Sequence, residues 1–112
     1  MAIGAGDLRE QIVVQRATTV PNEFNEPVET WADYYTFRAR REDAGSGEKD
    51  AAGQVGAFLM ARFTLRRSSK SDGILQTDRI VHDGGTWSIK EKMRLAEDPL
   101  KFILIKAVRD AD

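Results

Sequence analysis

The residues from Ala57 to Arg66, AFLMARFTLR, alternate strictly: Ala57, Leu59, Ala61, Phe63 and Leu65 fall on one parity, with Phe58, Met60, Arg62, Thr64 and Arg66 on the other. A period of two places successive side chains on opposite faces of an extended strand. Its first half is apolar on both parities, so that end is either covered on both sides or faces a partner. The same period recurs along the chain. Leu8, Ile12 and Val14 share a parity in LREQIVVQRAT, and Trp31, Tyr35, Phe37 and Ala39 share one in TWADYYTFRAR, where aromatic and β-branched residues favour strand over helix. Both tryptophans, Trp31 and Trp87, are expected on the inward face. Core packing is the favoured reading of them over a stacking platform for bases.

Breakers punctuate these strands. TVPNEFNEP, with its prolines and asparagines, marks a reversal, and SSKSDG at residues 68–73 reads as a polar turn. ILQTDRIVHDGGTWSIKEKM reads as a hairpin around Asp83-Gly84-Gly85-Thr86, whose glycine pair supplies the positive φ of a two-residue turn. The closing segment PLKFILIKAV is apolar on both parities and is expected to be a central strand. Five to six short strands without a sustained helical period predict an all-β domain, a small antiparallel β-barrel or sandwich, spanning residues 1–112 as a single unit. At 112 residues it is large enough to fold without metal or disulfides.

One stretch breaks the pattern. EDAGSGEKDAAGQVG, residues 42–56, carries no aromatic residue and a single sizeable aliphatic, Val55, and is expected to be a long flexible loop. Its GSGEK core lacks the spacing of a phosphate-cradling loop: Glu48 would oppose a phosphate, and Asp50 stands where a hydroxyl is needed. Four acids, Glu42, Asp43, Glu48 and Asp50, against Lys49 repel DNA more than they hold it.

Chemistry-bearing groups are sparse. The chain has no cysteine and one histidine, which argues against a transition-metal site, and the carboxylates do not show calcium-loop spacing. His82 beside Asp83 lacks an evident nucleophile or pocket and reads as a polar residue flanking the turn. No catalytic, cofactor or metal residues are therefore assigned. A net charge of -1 argues against a dedicated nucleic-acid-binding domain. Arg38, Arg40, Arg41, Arg62 and Arg66 could still form a basic patch if their strands pair, facing an interface or DNA; solvated strand ends explain them equally well. No apolar run is long enough to span a membrane as a helix, and the N-terminus lacks the pattern of a secretory signal.

The order of the pieces is more specific than any piece. Gly6-Asp7-Leu8-Arg9 with Ile12, Val14, Gln15 and Arg16, then Asn25-Glu26-Pro27-Val28-Glu29-Thr30-Trp31, and later Arg79-Ile80 with Gly84, Gly85, Trp87 and Ile89, resemble the phage head–tail joining family of head-closure and connector proteins. Asn25 replaces the family's more frequent glycine, and asparagine also tolerates positive φ. The resemblance implies a small barrel with a long loop, acting without enzymatic activity in the neck of a bacteriophage or prophage virion after synthesis in the host cytoplasm. It implies a twelvefold ring of self-contacts below a portal or adaptor protein, retention of packaged double-stranded DNA, and a docking surface for a tail protein. Asp43, Gly45, Gly47, Glu48, Lys49, Asp50 and Gly53 are then candidates for a channel or gating loop. A tail-completion or terminator protein, and a small nucleic-acid-binding barrel, are the alternative readings.

Overall fold

A computed structural model describes residues 5–47 and 58–110. Six antiparallel strands make up the sheet: β1 (Glu10–Pro21), β2 (Pro27–Gly47), β3 (Phe58–Arg66), β4 (Arg79–His82), β5 (Gly85–Arg94) and β6 (Phe102–Asp110). Their order is β1-β2-β3-β6-β5-β4, and β4 pairs back onto β1, so the sheet closes into a barrel. Closure leaves the expected central strand β6 flanked by β3 and β5. Between the two readings left open by the sequence, the structure selects the barrel.

The alternating parities fill its interior. Ile12 and Val14 of β1, Phe37 and Ala39 of β2, Ala61, Phe63 and Leu65 of β3, and Ile103, Ile105 and Ala107 of β6 join Trp87 and Ile89 in one buried cluster. Trp87 is fully buried, meets Phe63 edge-on at 5.6 Å and donates its indole N–H to the His82 carbonyl. Leu8, although it shares parity with Ile12, precedes β1 and packs elsewhere, with Leu95, Phe102 and Leu104 in a second cluster. Both parities of β6 are thus covered near its start, as its two-sided apolar sequence requires.

Two register shifts decide where the alternation fails. In β2, Val14 faces Tyr35 while Gln15 faces Asp33, which leaves Tyr34 as an extra residue. A bulge of this kind reverses the parity beyond it. Tyr34 itself packs against the core, and beyond it Trp31 leaves the interior to lie beneath the Arg79 guanidinium at 4.1 Å; Tyr35, still opposite Val14, is 46% exposed. The expectation that Trp31 is a core residue is corrected by that one inserted position. In β5 the shift between Ile89 and Glu91 brings Lys92 opposite the inward Ile105. Its ammonium donates to the carbonyls of Asp72 at 2.7 Å and Ile74 at 2.8 Å, with Ser71 at 3.4 Å.

Those carbonyls belong to a segment that is helical, not merely a turn. Ser68 and Ser71 form a reciprocal capping box for the short helix α1 (Ser69–Asp72). Past it, Asp78 is buried and accepts from Arg16 Nε at 3.0 Å, from Arg16 Nη2 at 2.9 Å and from the Leu75 amide at 2.8 Å. Arg16 also donates to the Gly73 carbonyl at 2.7 Å and lies 4.2 Å over the Tyr34 ring. The β4–β5 turn differs by one residue from the expectation. Asp83 (φ 55°) and Gly84 (φ 74°) are its left-handed residues, and Gly85 begins β5 opposite His82. At Gly85 an added Cβ would meet the Arg109 guanidinium, so a larger residue there requires that flexible side chain to move aside.

The segment read as a loop over residues 42–56 is in part strand. β2 continues through Glu42 and Asp43 to Gly47, pairing with β3 from Arg62 to Phe58 around another irregularity. Local composition disfavours a strand there, but the adjacent apolar β3 offers backbone partners. The remainder of that segment lies outside the described residues. Two substitutions probe this framework by urea denaturation. Trp87→Ala is expected to cost about 3–5 kcal/mol through the cavity it leaves. Asp78→Ala is expected to cost about 3 kcal/mol by stranding the Leu75 amide and the Arg16 guanidinium.

Candidate interaction surfaces

Beyond Gln15, β1 no longer pairs with β4 and continues with β2 alone, from Arg16–Ala32 to Pro21–Pro27. This two-stranded arm ends in a tightly bonded turn. The Asn22 side-chain oxygen accepts from the amides of Phe24 at 2.8 Å and Glu26 at 2.9 Å, and the Asn22 amide donates to the Glu26 carbonyl. Asn25 adopts φ 63°, the conformation that asparagine was expected to tolerate at this place. Phe24 is held at the tip, 75% exposed, and Val20 and Val28 face each other, also exposed, on the shaft. Between Arg16 and Arg38 the sequence has four acids, Glu23, Glu26, Glu29 and Asp33, and no base. The arm is apolar and acidic together. The segment expected only as a reversal is thus an extended arm, and the sequence signal for it is Phe24 with Val20 and Val28 among acids without a base.

The candidate basic residues divide into two sets. Since β2 and β3 pair, Arg38, Arg40, Arg62 and Arg66 do share the outer face, at alternate positions to the inward Phe37, Ala39, Phe63 and Leu65. Arg40 is held by Glu42 at 2.8 Å, whereas Arg38, Arg62 and Arg66 have no ion-pair partner among the described residues. Beside them is a cleft of about 240 Å³, lined by Leu8, Tyr35, Phe37, Arg38, Arg66 and neighbouring hydroxyl residues. Among the described residues, no carboxylate lines it. Lys70 lies 5.6 Å from the Tyr35 ring at its side.

Arg41 is not part of that face. It has the parity of the core and lies 5.0 Å over the Trp87 ring, with Arg109 at 5.1 Å from the same ring. Its Nε donates to Asp43 at 2.8 Å and its Nη1 is 3.5 Å from Asp83. Together with Glu10 and His82, these residues line a second cleft of about 310 Å³ at one end of the barrel. Of the residues proposed for a gating loop, Asp43 lines this cleft, and Gly45 and Gly47 lie in the final stretch of β2. Glu48, Lys49, Asp50 and Gly53 lie outside the described residues.

His82 flanks the turn as expected and is buried, with its ring toward Phe63, 5.6 Å away edge-on. Its Nε2 is 3.3 Å from a Glu10 carboxylate oxygen, but the angles do not make a hydrogen bond, and neither ring nitrogen has a partner among the described residues. Burial, reinforced by the Arg41 charge, lowers its pKa from the ordinary 6.5, with Glu10 and Asp83 opposing. Among the described residues, no group of three or more His, Cys, Asp or Glu side chains could hold a metal ion. The cleft offers mixed charge without a nucleophile paired to a base.

The sequence matches the phage head completion protein family over residues 3–109, and the chain belongs to that family. Two solved structures share its fold. A chain in the virion of a native gene transfer agent particle superposes with a TM-score of 0.71 at 11% identity, covering 93% of this chain and 96% of that one. Protein SF1141 from Shigella flexneri 2a, a solution structure, gives 0.64 at 20% identity, with 97% of each chain covered. No curated protein sequence matches the chain.

His82 sets a pH dependence of known sign. The unfolded chain takes up its proton near pH 6.5, while the folded chain does so only at lower pH. The stability from the neutral ring is therefore complete above about pH 6.5 and declines as the pH falls from there toward the lowered folded value. Urea midpoints between pH 7.5 and 5.5 are expected to fall further for the native chain than for His82→Gln.

Proposed function

We propose that this protein closes the filled phage head by assembling as a ring below the portal or an adaptor, where it retains packaged DNA and presents the surface on which the tail docks. The family match over residues 3–109 carries this reading. The fold is compatible with it. Where the barrel is closed its strands are paired on both sides, which leaves the two-stranded arm, whose outer edges are unpaired, and exposed side-chain surfaces to make the joints. A single heterologous contact repeated around an axis closes a ring, and repetition strengthens contacts that are weak singly. On this reading the chain contributes no chemistry of its own and is located in the virion neck, with portal or adaptor above it and tail protein below.

Particles assembled without the protein provide the test. Electron microscopy is expected to show heads that fill and then lose their DNA, and restoring the protein is expected to yield stable filled heads bearing it at the vertex. Stable, tail-competent filled heads in its absence would remove the closure role. Co-fractionation with tails instead of heads would point to a tail-completion protein.

A further inference from the structure

We propose that the acidic arm of one copy docks on the basic cleft of the next, with Phe24 entering between Tyr35, Phe37 and Leu8 while Glu23, Glu26 and Glu29 meet Arg38 and Arg66. The contact rests on the ring reading above and names its joint. Three observations lead to it. The first is preorganisation: Asn22 fixes the tip through three side-chain hydrogen bonds, one of them donated to the Glu26 carboxylate, and two backbone ones, so Phe24 is held exposed by a turn that needs no further ordering. An aromatic side chain on a rigid support is what a binding anchor requires.

The second is complementarity. The arm carries four acids and no base, and Glu23 and Glu29 have no ion-pair partner among the described residues. The cleft has an apolar floor, a rim with Arg38 and Arg66, and no lining carboxylate among the described residues. Its volume of about 240 Å³ admits a phenyl ring. Opposite charges at the rim orient the encounter, while the aromatic anchor supplies the desolvated contact. Duplex DNA would use the arginines but not the apolar floor, and it would be repelled by the arm.

The third is reach. The arm is a ladder with β1 broken only by the Tyr34 bulge, and about ten residues of β2 separate Val28 from Arg38, a run of about 33 Å along an extended strand. A paired ladder of that length cannot fold back on itself, so the tip can meet such a cleft only on another molecule. Arm and cleft are different surfaces, so the contact is heterologous: each copy gives one and receives one. That is the arrangement from which a ring is built.

The absence of cysteine makes the joint directly testable. The full chain carrying both Glu23→Cys and Thr36→Cys, which keeps the Phe24 anchor, assembled onto filled heads and treated with a short thiol crosslinker, is expected to give a ladder of covalent multimers. Each single variant is expected to remain monomeric. The triple change Glu23→Lys, Glu26→Lys, Glu29→Lys is expected to reduce incorporation at least tenfold, with recovery when Arg38→Glu and Arg66→Glu are added. Incorporation of the double-cysteine chain on heads without a ladder would overturn this joint while leaving head closure standing. Failure of the unaltered chain to join heads would overturn both. Duplex DNA binding lost with Arg38→Glu and Arg66→Glu, with incorporation untouched by the glutamate reversals, would assign the cleft to DNA.

Discussion

Everything that distinguishes this barrel begins where β1 parts from β4. The two strands share only the pairs Val13–Val81, Val14–Ile80 and Gln15–Arg79, and these close the sheet. One residue further on, Arg16 takes over the connection through its side chain, binding the buried Asp78 and the Gly73 carbonyl. A backbone ladder is thereby continued by a two-pronged guanidinium–carboxylate contact, whose planar fork suits a fixed geometry. The Tyr34 bulge falls at the same level and offers its ring to the guanidinium. Barrel closure, the turn of β2 and the departure of the arm are thus one event.

That junction explains how a small domain can be rigid and outreaching together. Its core is complete without the arm, since the cluster around Trp87 and Phe63 draws on all six strands below the bulge. The arm's valines and Phe24 remain outside, where solvent covers them only at a cost. Exposed apolar residues scattered singly are ordinary, but a phenyl ring at the apex of a bonded turn among glutamates is an organised surface. The barrel holds that surface at a fixed position relative to its core.

Sequence patterning read most of the strands because burial in a closed sheet imposes period two on every one of them. It located the hairpin at Asp83-Gly84, although it assigned the positive φ to the wrong neighbour: asparagine and aspartate share glycine's tolerance of that region, so a DGG triplet has two registers. It placed Trp31 inside because alternation cannot announce a bulge. It put Arg41 with the other arginines because RARR looks uniform, whereas strand parity divides it. The burial of His82 was out of reach for a similar reason: a residue beside a turn is exposed or buried according to its strand's facing, which only the closed sheet sets.

What the sequence determined by itself was local and periodic: strand character, the breakers between strands, the lack of thiol or phosphate-loop chemistry, and a pattern of motifs sufficient to suggest the family. Only the tertiary structure decided which residues meet. Arg16 and Asp78 are 62 positions apart, and the cleft joins residues from Leu8, from Tyr35 to Arg38, and from Arg66. Periodicity is written by each strand's two faces and can be read along the chain. Register, bulges and closure come from hydrogen bonding between distant segments, where a shift of one residue exchanges the inside for the outside.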